Sequence, residues 1–219
     1  AAMSANTTGA GNTSLGFNSL ATNTTADNNT AIGVSSLVAN TEGHSNTAIG
    51  SEAGDSITTG DENTALGHGA LDGGTTVNGN TAVGTDAMGG ALTGSYNTAV
   101  GYNALLVATG VTGTTAIGNQ VLDALTTGDN NTGVGGGALG ANTTGASNVA
   151  VGHIALDSCT SGGNNVGIGR ASGDGVTTGH SNTLLGYNSG VTLTTGDSNI
   201  CIGLDSAVCG SCVHRHFNG

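Results

Sequence analysis

The densest set of metal-binding and redox-active side chains lies near the C-terminal end of the sequence, which reads Cys209-Gly-Ser-Cys212-Val-His214-Arg-His216. Thiolates and imidazoles at this spacing are ligands that zinc prefers. The alternatives are a disulfide between Cys209 and Cys212 or one that involves Cys201, with solvated histidines. We expect no cofactor, and a metal ion held by Cys209, Cys212, His214 and His216 is the one candidate that the sequence offers.

The rest of the sequence contains little that indicates catalysis. It contains no Gly-x-Ser-x-Gly nucleophile elbow and no His-Glu-x-x-His pair, and its glycine-rich stretch at 133–137 does not precede a helix. Arg170 and Arg215 are the only basic residues besides histidine, against fourteen acidic ones, which gives a formal net charge of −12. Such a chain is a poor ligand for nucleic-acid phosphates. The sequence predicts a protein that is not an enzyme and does not bind nucleic acid.

A short repeat positions all of these residues. The segment Asn-Thr-Ala-Ile-Gly and its close variants recur at one fixed spacing, without insertion or deletion. We number the 17 positions of the repeat from the first residue of this segment. The copies start at Asn12, Asn29, Asn46, Asn63, Asn80, Asn97, Thr114, Asn131, Asn148, Asn165, Asn182 and Asn199.

So short a period cannot hold a pair of helices and suits one coil of a parallel β-solenoid, with two or three short strands per coil. Stacked at about 4.8 Å, twelve coils would form a rod roughly 60 Å long. The predicted organisation is a partial coil at 1–11, a twelve-coil all-β solenoid at 12–215 and a tail at 216–219. No apolar run approaches the roughly 18 residues that span a membrane, so we expect no membrane insertion.

The residue types in each column predict which side chains point inward. Position four is always Leu, Ile or Val, and position two is Thr or an aliphatic residue. Because strand side chains alternate, we expect positions two and four to face the interior. Position three, which is small in most coils, as at Ala31 and Gly133, would then face outward. It would let another chain approach closely, or it would mark only a tight bend.

Polar columns predict the corners of the coil. Asn at position one should form a ladder in which each side chain bonds its neighbours and corner backbone groups. All fourteen acids fall on positions seven, ten, fourteen, sixteen and seventeen, so these positions should face solvent. Asp61, Asp129 and Asp197 at position sixteen are candidates for calcium, although solvated carboxylates are the simpler interpretation. Cys159 lies three coils before Cys209, about 14 Å along the axis, and should be a buried free thiol.

Position six is the most varied column and holds the candidate ligand-binding residues. Three of the five aromatic residues lie there, and such exposed side chains could grip a sugar or a protein surface. The alternative is an exposed position without a role. The candidates are Phe17, His68, Tyr102, His153, Arg170 and Tyr187.

The recurring Asn-Thr-Ala-Ile-Gly, Ala-Leu and Thr-Thr-Gly elements resemble the head repeats of YadA-type trimeric autotransporter adhesins, and equally repeats in bacteriophage and viral tail fibres. The resemblance extends from about Thr7 to Arg215. It implies a parallel β-roll that forms a side-by-side homotrimer and projects from a cell or virion, and it does not specify a ligand. A cell-surface receptor or glycan is a candidate partner.

We therefore expect an extracellular structural or adhesive fibre segment whose main partner is itself. An end-to-end polymer that forms a filament is the first alternative, and ice binding is the second. Ice binding would require two outward Thr columns two residues apart on one strand, and the inward assignment of position two argues against it.

Overall fold

The structure, a computed structural model, describes residues 1–206, which form an all-β parallel solenoid without a helix. Neighbouring strands pair in parallel and in sequence order, and each residue lies beside its equivalent in the next repeat, as Ala31 beside Ala48. The predicted solenoid is confirmed. The expectation of two or three strands per coil is wrong for residues 1–206, where each coil has one. The strands are β1 (Thr13–Leu15), β2 (Thr30–Ile32), β3 (Thr47–Ile49), β4 (Thr64–Leu66), β5 (Thr81–Val83), β6 (Thr98–Val100), β7 (Thr115–Ile117), β8 (Thr132–Val134), β9 (Val149–Val151), β10 (Val166–Ile168), β11 (Thr183–Leu185) and β12 (Ile200–Ile202).

Left-handed residues turn the chain around the rest of each coil. Positions seven, nine and seventeen have positive φ, as in Glu52 (59°), Leu37 (48°) and Asn28 (62°). The glycine at position five is required both by its positive φ and by the close approach of the next coil. Gly33 has φ 137°, and a Cβ there would collide with the backbone of Gly50 in the next coil. The column of glycines therefore allows both the turn and the close stacking of coils.

The interior is a narrow aliphatic column, and it explains the small residues at position three. Ala31, Ala48 and their equivalents are buried and face the leucines of position nine from the opposite wall of the coil. A Cβ on Gly167 would lie 2.8 Å from Cγ of Leu156. Position three is small because the two walls of one coil approach closely, and the predicted interface with another chain at this column is wrong.

The predicted orientation of positions two and four is also wrong. The middle residue of every strand from β2 to β12 is buried, whereas the residues on either side of it are partly or largely exposed. An aliphatic side chain usually marks the core, but here alanine fills the space at the strand and leucine from position nine supplies the bulk. The Thr column and the Ile, Leu and Val column therefore both face outward.

One coil contains an internal register shift. Leu92 stands at position thirteen, where almost every other coil has Thr, yet it is buried like the residues of position twelve. The next residue, Thr93, donates its hydroxyl to the carbonyl of Thr109 at 2.9 Å, as the position-thirteen threonines do elsewhere. The coil therefore has one extra residue before Leu92 and one residue fewer between Thr93 and Gly94, and its total length is unchanged.

Residues 1–11 stack on the first complete coil. The backbone N–H groups of Met3 and Thr7 donate to the carbonyls of Ser19 and Thr24 at 3.0 Å. The predicted C-terminal boundary at residue 215 lies outside the described residues.

Candidate interaction surface

The outward side chains of positions two and four form one continuous surface, which we call the sheet face. Position four presents an aliphatic side chain from every strand, and Ile49, Ile117 and Ile168 are 38–40% exposed. Position two presents Thr from each of β1 to β8 without interruption, followed by Val149, Val166, Thr183 and Ile200. The parallel strands place equivalent side chains about 4.8 Å apart along the axis, and the two columns lie about 6.6 Å apart.

Charge is absent from this surface. No Asp, Glu, Lys or Arg occupies positions one to five of any coil, so all fourteen acidic residues lie on other sides of the solenoid. A contiguous apolar surface of this kind is uncommon on a monomeric soluble protein and usually marks an interaction site. Sequence reasoning missed the sheet face because it placed both columns inside.

The six candidates at position six are all exposed, but they do not form one site. Phe17, His68 and Tyr102 stand two or three coils apart, so about 10–14 Å separates neighbours along the axis. His68 lies between Glu52 and Asp86, 3.8 Å from a carboxylate oxygen of each. His153, Arg170 and Tyr187, in contrast, occupy three successive coils.

Arg170 and Tyr187 are in direct contact. Nη1 of Arg170 donates a hydrogen bond to the hydroxyl of Tyr187 at 3.1 Å, and the guanidinium carbon lies 5.4 Å from the ring centroid. This geometry combines a hydrogen bond with a cation–π contact. Together the two contacts favour one orientation of the exposed guanidinium.

The asparagine column of position one forms a buried ladder. The side-chain oxygen of each position-one Asn from Asn12 to Asn182 accepts the backbone N–H of the position-one residue in the next coil, as between Asn12 and Asn29 at 2.8 Å. The side-chain nitrogen donates to the position-fifteen carbonyl, as from Asn29 to Gly43 at 2.8 Å. Asn46, Asn63, Asn80, Asn97, Asn131, Asn148, Asn165, Asn182 and Asn199 follow the first of these patterns, with Thr114 in place of Asn in one coil.

A second ladder at position sixteen was missed by sequence reasoning. The backbone N–H of His44 donates to Oδ1 of Asp61 in the next coil at 2.7 Å, and Asp129 and Asp197 accept from the coils before them in the same way. His180 accepts through Nδ1 from Gly163. This ladder runs in the direction opposite to the asparagine ladder. The three aspartates proposed for calcium thus accept backbone hydrogen bonds between coils.

Carboxylates at position ten are partly buried, and their pKa values respond. Burial, followed by the neighbouring charges of Asp55 and Asp86, raises the pKa of Asp72. Burial and then the charge of Asp174 raise the pKa of Asp157. Within residues 1–206, no group of three or more His, Cys, Asp or Glu side chains is arranged to hold a metal ion.

The cysteines give no site within the described chain. Cys159 is a fully buried thiol whose Sγ lies 3.5 Å from the carbonyl of Gly162, and burial raises its pKa to about 11. Cys201 is buried as the middle residue of β12, at position three of the repeat. The predicted metal ligands Cys209, Cys212, His214 and His216 lie outside the described residues.

Comparisons with protein-family models, with curated proteins and with solved structures found no match. The part of the chain that the structure describes contains no helix long and apolar enough to cross a membrane. The class of the protein therefore follows from its own geometry: it is a parallel β-solenoid with an uncharged outward sheet.

Proposed function

We propose that this chain is a rigid, non-enzymatic fibre segment whose sheet face packs against other copies of the chain, outside the cell or on a virion. The observation that carries the proposal is the sheet face itself, an uncharged and largely aliphatic surface that follows all twelve strands. A surface that had no partner would expose this apolar area to water along the whole rod.

The size of the sheet face suits association of copies. Eleven steps of about 4.8 Å give a length of about 53 Å, and two columns about 6.6 Å apart with their side chains give a width of about 10 Å. Each copy would bury about 500 Å², so a pair would bury about 1,000 Å², the lower bound for a stable specific interface. The resemblance to trimeric adhesins and tail fibres favours three copies side by side.

The test is the mass of the purified chain in solution, measured by sedimentation or light scattering. We expect a mass of three chains for the wild type and of one chain for the double variant Ile117→Glu, Ile168→Glu, because each glutamate would lose its hydration in the interface. The matched control is Thr127→Glu, Thr178→Glu at position fourteen, where Glu42 occurs naturally. It adds the same charge and should keep the mass of the wild type.

A monomeric wild type would refute association through the sheet face, and loss of assembly in both variants would indicate a general effect of charge. A very large mass with a broad length distribution would instead indicate an end-to-end filament. Circular dichroism of both variants checks that the solenoid is intact.

Ice binding is the second candidate, and the outward Thr column favours it. Thr hydroxyl and methyl groups repeat in position two from β1 to β8, beside a column of aliphatic side chains, on an uncharged sheet. A regular array of this kind could order water into a crystalline layer. Thermal hysteresis of a monomeric wild type, abolished by Thr81→Tyr, would support this function, whereas a trimer without thermal hysteresis would refute it.

A further inference from the structure

The strongest unassigned feature outside the sheet face is the arginine on coil ten. Arg170 is the only Lys or Arg among residues 1–206, and it is exposed. Among residues 1–206, none of the fourteen carboxylates of this strongly acidic chain lies within salt-bridge distance of Arg170. The carboxylates that lie close to a histidine there are those of Glu52 and Asp86, each 3.8 Å from a ring nitrogen of His68. The guanidinium of Arg170 instead contacts Tyr187, through a hydrogen bond to the hydroxyl and a cation–π contact with the ring.

No carboxylate occupies positions six and seven of coils eight to eleven, on either side of Arg170. His153 stands at the same position one coil earlier, and the position-seven residues of coils eight to eleven are Gly137, Ile154, Ala171 and Asn188. Two aliphatic side chains of the sheet, Ile168 and Leu185, precede Arg170 and Tyr187 by two residues and are 38% and 42% exposed. The ring of Tyr187 is 43% exposed.

We propose that His153, Arg170 and Tyr187 form a binding site for the carboxylate of an acidic sugar. A guanidinium forms two parallel hydrogen bonds with a carboxylate, and an oriented guanidinium loses less entropy on binding. A pyranose that bears a carboxylate also has an apolar C–H face, which suits the exposed ring of Tyr187 and the aliphatic side chains beside it.

The charge of the whole chain limits the ligand to one with little negative charge. A net charge of −12 repels polyanions over a distance of about a Debye length, roughly 8–10 Å. The site therefore fits a single terminal uronic or sialic acid residue and not a densely sulfated glycan. This inference concerns coils nine to eleven, and Arg170 and Tyr187 lie at position six, outside the sheet face, so contact with the carboxylate does not require that face to be free. The apolar contacts of Ile168 and Leu185 do require it, because both residues belong to the sheet face.

Saturation-transfer NMR with the full chain would test the site, using methyl glucuronide, methyl glucoside and the methyl glycoside of N-acetylneuraminic acid as probes. We expect both acids to bind more tightly than the neutral glucoside. Arg170→Gln should weaken their binding by about tenfold or more, because it removes the guanidinium charge and both hydrogen bonds to the carboxylate. Tyr187→Phe should weaken it less, because the ring stays while the hydrogen bond that orients Arg170 is lost.

Tyr102→Phe is the matched control, since Tyr102 occupies the same position without a neighbouring arginine. It should leave binding unchanged. Equal binding of glucoside and glucuronide, an undiminished signal in Arg170→Gln, or no saturable binding of either acid would each overturn the proposal. A change in assembly mass in Arg170→Gln without any sugar binding would show that Arg170 contacts another copy of the chain, and would also overturn it.

Discussion

Replacement of Asn63 offers the most direct test of what holds the coils together. Asn63 is 1% exposed, and its side-chain oxygen accepts the backbone N–H of Asn80 at 3.0 Å. Its side-chain nitrogen donates to the carbonyl of Val77 at 2.7 Å and to the side chain of Asn46 at 3.0 Å. Asn63→Ala would therefore leave a buried N–H and a buried carbonyl without partners.

The chain itself shows that threonine replaces part of this function. Thr114 accepts the backbone N–H of Asn131 through its hydroxyl at 3.3 Å, and the side chain of Asn131 donates to the carbonyl of Gly128 at 3.0 Å. Each unsatisfied buried group costs about 1–3 kcal/mol, so Asn63→Ala should cost about 2–6 kcal/mol. Asn63→Thr should cost only about 1 kcal/mol, because both backbone groups can find partners as they do around Thr114.

Repeat proteins need not unfold in a single step, so the assay should report local as well as global stability. We would combine chemical denaturation with hydrogen exchange of the Asn80 amide, which should lose protection in Asn63→Ala and keep most of it in Asn63→Thr. If the two variants cost the same, hydrogen bonds do not limit the stability of this column and the reasoning fails. Thr114→Asn, the reverse change, should stabilise the chain.

Four further changes test other parts of the solenoid. Leu184→Ala should lower the free energy of unfolding by about 2–5 kcal/mol, because it leaves a cavity. Adding Gly190→Leu should restore part of this stability, since the Leu184 side chain fills the space beside Gly190. No rescue in denaturation experiments would contradict this packing. Ile154→Gly should stabilise the chain by about 1 kcal/mol, because Ile154 has φ 52° and a left-handed conformation is costly for a β-branched residue; a lower unfolding midpoint would contradict it. Asp72→Asn should stabilise the chain at pH 7. The pKa of Asp72 in the folded state is raised above 3.8, so the ionised carboxylate destabilises the fold at any pH above that raised value. The difference in stability from the wild type should vanish as the pH falls below 3.8. Ala146→Asn should add an acceptor for the backbone N–H of Asp129 and stabilise the chain by about 0.5–1 kcal/mol, whereas Ala146→Val, which lacks an acceptor, should not.

The fold could be predicted from the period of the repeat, because so short a repeat without insertions fits few structures other than a solenoid. The orientation of the strand was predicted wrongly because aliphatic side chains were assumed to lie inside. The sequence did contain a contrary signal. Leu184 is the one leucine at position three. Position nine is glycine both in the same coil, at Gly190, and in the preceding coil, at Gly173. A Cβ on either glycine would contact the side chain of Leu184. Such an exchange of large and small residues indicates that positions three and nine share the interior.

The second ladder could not be predicted from residue types alone. Position sixteen contains Asp, His, Asn, Ser and Thr, which share only a side-chain acceptor atom, together with Ala146 and Gly163, which have none. Asp27 accepts from Ala10, and the side chains of Asn78 and Ser95 accept from the preceding coil in the same way. Because several side chains satisfy this requirement, the column looks variable, and its carboxylates resemble solvated acids.

The distribution of charge restricts how copies of the rod could associate. The acidic positions seven, ten, fourteen, sixteen and seventeen surround most of the coil, while positions one to five have no charged residue in any coil. Two copies that approached through any other side would bring carboxylates together, and this repulsion is strongest at low salt. Association through the sheet face buries apolar area and keeps the acidic columns apart. The same arrangement keeps the free sides of the rods mutually repulsive, which favours a closed assembly of a few copies over unlimited lateral growth.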